Sequence, residues 1–189
     1  MSAFISAAVG PTETALLSAL AVACAVTDLW KGRIYNAITY PAIALGLALH
    51  LALGGWAGLS TAIGGFAVGF FPAFILFVLG GLGGGDVKLL AAIGTIAGAL
   101  PATETLLISF FVGALFALGK LAWHGRLFVS LGRTLRAMAS WIIPGVGRIP
   151  LSKPGEERLT VRFGVAICVA TLAMLWDLRS DAITHLVLG

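Results

Sequence analysis

The stretch GGLGGGDVKLL, residues 80–90, places five glycines in six positions and then a carboxylate, Asp86, two residues before Lys88. On either side of it the chain is almost wholly apolar. A helix needs about 20 apolar residues to cross the roughly 30 Å hydrocarbon core of a bilayer. Lipid admits only helices or closed barrels, because every backbone N–H and C=O must find its partner inside the protein. Uninterrupted apolar runs of this length predict helices. The glycine-rich break therefore reads as the join between two membrane helices, with an ionisable group at the start of the second.

Composition supports the same solvent. Of 189 residues, 59% are hydrophobic and 11% charged, whereas an ordinary soluble domain has about 45–50% and about 25%. A soluble fold of this length could not hide so much apolar surface. The length fits one domain, 1–189. The net charge of +4 fits a membrane protein whose basic residues mark the cytoplasmic side. No soluble segment combines a basic run with interleaved aromatics, so no nucleic acid is expected as a partner.

Cys24 and Cys168 are isolated from each other in sequence, and His50, His124 and His185 do not cluster with them. No metal-ligand spacing or redox pair is visible, and neither metal nor cofactor is expected. AVACAVT at 21–27 loosely resembles a signal-peptide cleavage site. No Lys or Arg precedes it, so the basic n-region is missing and a retained helix is expected.

The expected fold class is all-α, a polytopic membrane protein with spans at roughly 5–27, 38–55, 61–82, 87–101, 104–122 and 163–180. A polar-containing cytoplasmic loop is expected over about 123–162. Within it Leu127, Leu131, Leu135, Met138 and Ile142 share one helical face, opposite Arg126, Arg133 and Arg136. That pattern predicts an amphipathic helix lying on anionic lipid, broken afterwards by Pro144, Pro150 and Pro154. With the N-terminus outside, only Arg179 of the 12 basic residues is not cytoplasmic, so the basic residues set the orientation. Gly65/Gly69 and Gly94/Gly98 have the small-xxx-small spacing of closely packed helices, a weak signal among 25 glycines.

This topology brings Asp28, at the end of the first span, and Asp86, at the start of the fourth, to one membrane face. The fourth span is short: fifteen residues cover only about 22 Å. Either the bilayer thins there or Asp86 is recessed in a cavity. Singly, Asp28 reads as a helix-end acid paired with Lys31 or Arg33, and Asp86 as a helix N-cap. Together they suggest chemistry, since ionisable groups at membrane depth are costly. Two carboxylates held close do not both ionise easily and share a proton. One then serves as base toward water and the other as acid toward a carbonyl oxygen or leaving amine. Gly83 and Gly85, lacking Cβ, permit backbone conformations closed to other residues, so that an extended peptide can approach the acid closely.

Gly83-Gly84-Gly85-Asp86 matches the GxGD motif of intramembrane aspartic proteases. With Asp28 in TDLWKGRIYNAITYP at 27–41 and the continuation GGGDVKLLAAIG at 83–94, the chain resembles the type IV prepilin peptidase family. Ile34-Tyr35-Asn36 stands where that family commonly has Ile-Pro-Asn. TVRFGVAIC at 160–168 resembles its late (Pro)-Tyr/Phe-Gly-xAIA segment, with Arg162 in the proline's place. The resemblance covers about 12–180 and implies an aspartic endopeptidase of the bacterial inner membrane. Such enzymes cut the basic leader from prepilins and pseudopilins at the cytoplasmic face. It implies Asp28 and Asp86 as catalytic aspartates, Gly83, Gly85, Lys88 and Asn36 as motif residues near the substrate, and no metal or other cofactor. Lys88 either tunes the dyad or faces lipid headgroups. Larger relatives carry Cys-x-x-Cys motifs in an extra cytoplasmic segment and also N-methylate the trimmed pilin. This chain is more similar to the short, tight-adherence (Flp-type) subgroup, of which methylation is not expected. The competing readings are a proton- or cation-coupled transporter and a catalytically silent platform for pilus assembly.

Overall fold

The computed structural model describes residues 9–123 and 162–188, with side chains in the second segment as far as Leu178. The helices among them are α1 (Pro11–Lys31), α2 (Asn36–Val78), α3 (Gly84–Ala97), α4 (Ala99–Trp123) and α5 (Phe163–Leu188). No strand occurs among the described residues. The amphipathic stretch expected from Arg126 to Ile142 and the prolines that follow it lie outside the described residues. Three helices, α1, α2 and α4, are long and apolar enough to cross a membrane. The described residues fall into two units, one holding everything up to Val112 together with the chain from Arg162, the other the end of α4 from Gly113.

The helix ends follow local chemistry. Pro11 opens α1, where its missing N–H costs nothing, and the Glu13 carboxylate accepts the N–H of Gly10. Gly32 closes α1 in the left-handed region at φ 62°, its N–H donating to the Asp28 carbonyl at 2.9 Å. Asp28 therefore lies inside the last turn of α1 rather than just beyond it.

The second and third expected spans are the two limbs of α2. They are separated by one residue, Gly55, at φ 57° and ψ −142°, where a five-residue connection was expected. Gly58 makes the tight reversal possible: a Cβ there would lie 2.1 Å from the His50 carbonyl oxygen. The join between α3 and α4 is as abrupt. Gly98 at φ 84° breaks the helix, and Pro101 then sits in the first turn of α4, where proline is tolerated. Both boundaries fall at positive-φ glycines, a conformation that the apolar pattern around them does not report.

α3 runs between the two limbs of α2. Gly46 on the first limb faces Thr95 and Ile96, while Gly65 and Gly69 on the second face Gly94 and Leu90. The His50 imidazole lies 3.0 Å from the carbonyl of Ile96, whose partner within the helix is lost at the C-terminus of α3. Val87 and every residue from Leu89 to Ala97 are buried, and a helix apolar all round belongs inside a bundle. That accounts for the shortness of α3, for which a thinned bilayer was one expectation: its surroundings are protein. α1 and α5 pack against it, so Leu17, Leu20, Cys24, Leu89, Ile93, Ile96, Ile167 and Met174 form one core.

Candidate active site

Four helix ends converge on one region: the C-terminus of α1 and the N-termini of α2, α3 and α5. Asp28 arrives from α1 and is 7% exposed. Its Oδ2 accepts the backbone N–H of Gly164 at 3.0 Å. That N–H belongs to the first turn of α5, where helical donors have no partner of their own. The main-chain oxygen of Asp28 accepts a second bond, from Arg162 Nη1 at 3.1 Å. The Asp28 side chain is thus held from the start of α5, and neither Lys31 nor Arg33, the partners a lone helix-end acid would take, bonds to it among the described residues.

Asp86 is at the third position of α3, not at its N-cap. Its Oδ2 accepts the N–H of Gly83, the N-cap residue, at 3.2 Å. A carboxylate in the first turn also answers the positive end of the helix dipole. Asp86 is half-buried, and the charge of Asp28 acts on it directly. The structure thus brings these two carboxylates, remote in sequence, within electrostatic reach of each other.

The conformational freedom that Gly83 and Gly85 permit is not used in this structure. Gly83 lies at φ −83° and ψ 147°, ordinary extended backbone, and Gly85 is helical. The positive-φ residue of this turn is Gly80, at φ 79°. What the motif glycines provide is room. A Cβ on Gly83 would stand 2.9 Å from Asp86 Oδ2, and one on Gly85 would press on Ile34 Cβ at 3.0 Å. The space beside Gly85 is filled by the chain's own Ile34, so it is a packing contact between the α1–α2 turn and α3.

Asn36 and Lys88 meet. Lys88 Nζ donates to Asn36 Oδ1 at 2.8 Å and lies over the Tyr40 ring, 5.1 Å from its centroid. One cation thereby joins the start of α2 to the start of α3, two residues from Asp86. Reading the residues singly did not reveal Arg162 and Gly164 as neighbours of Asp28. Their signal in sequence was the TVRFGVAIC segment, which carried a resemblance but no role. Cys24 and Cys168, distant in sequence, are buried within electrostatic range of each other, one turn from Asp28 and one turn from Gly164. Among the described residues no three His, Cys, Asp or Glu side chains group as metal ligands would.

A family model described as the type IV leader peptidase family matches residues 15–118, a span that holds both Asp28 and Asp86. The chain is 34% identical over 143 residues to the prepilin leader peptidase/N-methyltransferase of Aeromonas salmonicida, covering 70% of this chain and 48% of that one. It is 33% identical over 143 residues to the protein of that name from Aeromonas hydrophila, with 70% and 49% covered. To that from Burkholderia pseudomallei it is 34% identical over 130 residues, with 62% and 41% covered. The chain spans about half the length of the curated relatives it matches. No solved structure matches it.

Proposed function

The chain belongs to the type IV leader peptidase family, and from that premise we propose that it is a membrane aspartic endopeptidase acting on prepilins and pseudopilins. It removes their basic leader at the cytoplasmic face of the inner membrane, with Asp28 and Asp86 as the catalytic pair. The observation that carries this reading is the approach of those two carboxylates from separate helix ends, Asp28 nearly buried and its charge felt by Asp86.

The chemistry needs one carboxylate ionised and one protonated, which a close pair supplies by sharing a proton. The ionised member takes a proton from water as its oxygen attacks the scissile carbonyl carbon. The protonated member donates to the developing oxyanion. Collapse of the tetrahedral intermediate breaks the C–N bond, and a carboxyl proton passes to the leaving amine. Gly83 allows the close approach of Asp86 to the backbone, Gly85 seats the turn against Ile34, and Lys88 with Asn36 holds α3 to α2 beside the site.

The membrane arrangement belongs to the same proposal. The two limbs of α2, the buried α3 and the apolar part of α5, Phe163–Leu178, add to α1 and α4 to give six crossings with the N-terminus outside. Trp30, two residues past Asp28, is 82% exposed, and exposed tryptophans favour the headgroup level. That supports a cleavage site at the interface, where a soluble leader meets an apolar substrate helix.

Co-expression of the full chain with a candidate prepilin, followed by mass measurement of the prepilin N-terminus, tests the proposal. Loss of the leader with the parent, and its retention with Asp28→Asn and with Asp86→Asn, is expected. Full processing by either inserted variant sinks the two-aspartate mechanism, and no processing by the parent sinks the assignment of substrate.

A further inference from the structure

Arg162 and Gly164 have no role in the chemistry above, yet both hold Asp28. The Gly164 N–H bonds Oδ2 at 3.0 Å in a buried setting. Arg162 Nη1 reaches the main-chain oxygen of the same aspartate at 3.1 Å, and that oxygen also accepts the Gly32 N–H at 2.9 Å. The space around the carboxylate is closed from this side. A Cβ on Gly164 would stand 2.9 Å from Oδ2 and 3.1 Å from both Cβ and Cγ of Asp28. No flexible side-chain end is available to yield, because the contacted atoms are the root and head of the shortest acidic side chain.

We propose that Arg162 and Gly164 are positioning residues, a clamp at the start of α5 that fixes Asp28 for turnover. The clamp acts at two levels. Arg162, at the carbonyl-rich end of α1, holds the main chain where cations are favoured. Gly164 holds one carboxylate oxygen and leaves Oδ1 for water and for Asp86. Among the described residues no other hydrogen bond to the Asp28 carboxylate is made, so rotation of that side chain is governed by α5. The residue type at 164 follows: the N–H must be present and the Cβ absent. The residue at 162 needs a long side chain able to donate, which the guanidinium supplies.

The proposal rests on the peptidase reading for its kinetic test but not for its spectroscopic one. The variants are Gly164→Ala, Arg162→Gln and Arg162→Lys in the full chain, purified in detergent, with thermal unfolding to establish that each is folded. The kinetic probe is a synthetic peptide with a basic leader followed by an apolar helix. Displacement of a reacting group by about 1 Å costs on the order of 10²-fold in rate. Gly164→Ala is therefore expected to lower kcat by about that factor, with KM within about twofold of the parent's. Arg162→Gln should lower kcat by roughly tenfold, and Arg162→Lys should recover part of the loss, since lysine keeps the charge without the planar fork. In infrared spectra, the carboxyl band identified by its loss in Asp28→Asn should shift in Gly164→Ala.

Folded variants with an unmoved Asp28 band, or with a parental kcat, overturn the clamp, as does a loss confined to KM. A parent that leaves the peptide uncut while the Asp28 band still shifts overturns the substrate reading and leaves the clamp standing.

Discussion

Gly65 and Gly94 meet backbone to backbone: a Cβ on Gly65 would lie 1.9 Å from the Gly94 carbonyl oxygen, and one on Gly94 would lie 2.1 Å from that of Gly65. This contact seats the second limb of α2 on α3, and Gly69 repeats it one turn away against the Leu90 carbonyl at 2.2 Å. Without a hydrophobic force between helices in lipid, close backbone approach through small residues is a main source of association. Gly65→Ala should destabilise the fold by about 1–3 kcal/mol, the usual cost of overpacking, because main chain must move. Gly64→Ala, whose Cβ would meet nothing within 4 Å, should be neutral or stabilising. Thermal unfolding of the two variants in detergent separates them, and equal midpoints would refute the backbone contact.

Gly55 turns the chain between the limbs of α2. Its φ of 57° with ψ −142° is a combination that residues with a Cβ adopt only at a cost of about 1–3 kcal/mol. Gly55→Ala should destabilise the fold by that margin and lower the unfolding midpoint, although open space surrounds the position. Gly54→Ala next to it, equally open but helical, should not. If both behave alike, the reversal does not depend on the backbone of Gly55.

Much of this arrangement was legible in sequence, and the failures have a common cause. Apolar runs located the helices, because lipid imposes one secondary structure on them. The break from Gly80 to Gly85 and the acid after it were plain. The helix joins at Gly55 and Gly98 were misplaced because each turn is made by one glycine inside an apolar stretch, with no polar residue to mark it. The small-xxx-small pairs Gly65/Gly69 and Gly94/Gly98 were rightly noticed and undervalued. Spacing alone cannot show that the two motifs face each other. Gly83 and Gly85 were read for backbone freedom, whereas their backbones are ordinary and the absent Cβ makes room instead, which spacing in sequence does not report. The contact of Asp28 with Gly164 is tertiary, between helices far apart in the chain, and no local pattern encodes it.

Lys88 and Asn36 provide a test of how the site is braced. Their 2.8 Å bond ties the start of α3 to the start of α2, and being exposed to solvent it contributes about 1 kcal/mol or less. Lys88→Met and Asn36→Ala should each slow peptide cleavage by up to roughly tenfold, the scale of a small misplacement of Asp86. Because both remove one interaction, the double variant should be no slower than the slower single one. Losses that multiply would show that Lys88 acts elsewhere, for example at lipid headgroups, and not through Asn36.

The same reasoning applied to Asp28 and Asp86 gives the sharpest expectation. A general acid or base contributes about 10²–10⁴-fold, so each Asp→Asn variant should lose at least ~10²-fold in kcat. Each partner is useless without the other, since water activation and protonation belong to one event. The double variant should therefore be about as slow as the single ones, not slower by the product of their losses. Asparagine preserves the shape of each side chain, and its amide oxygen can still accept the N–H of Gly164 or Gly83, so unfolding midpoints should stay near the parent's. Rates measured with one peptide and one detergent across the four proteins decide it. A multiplicative loss would mean that the carboxylates work at separate steps, and the shared-proton mechanism would then have to be abandoned.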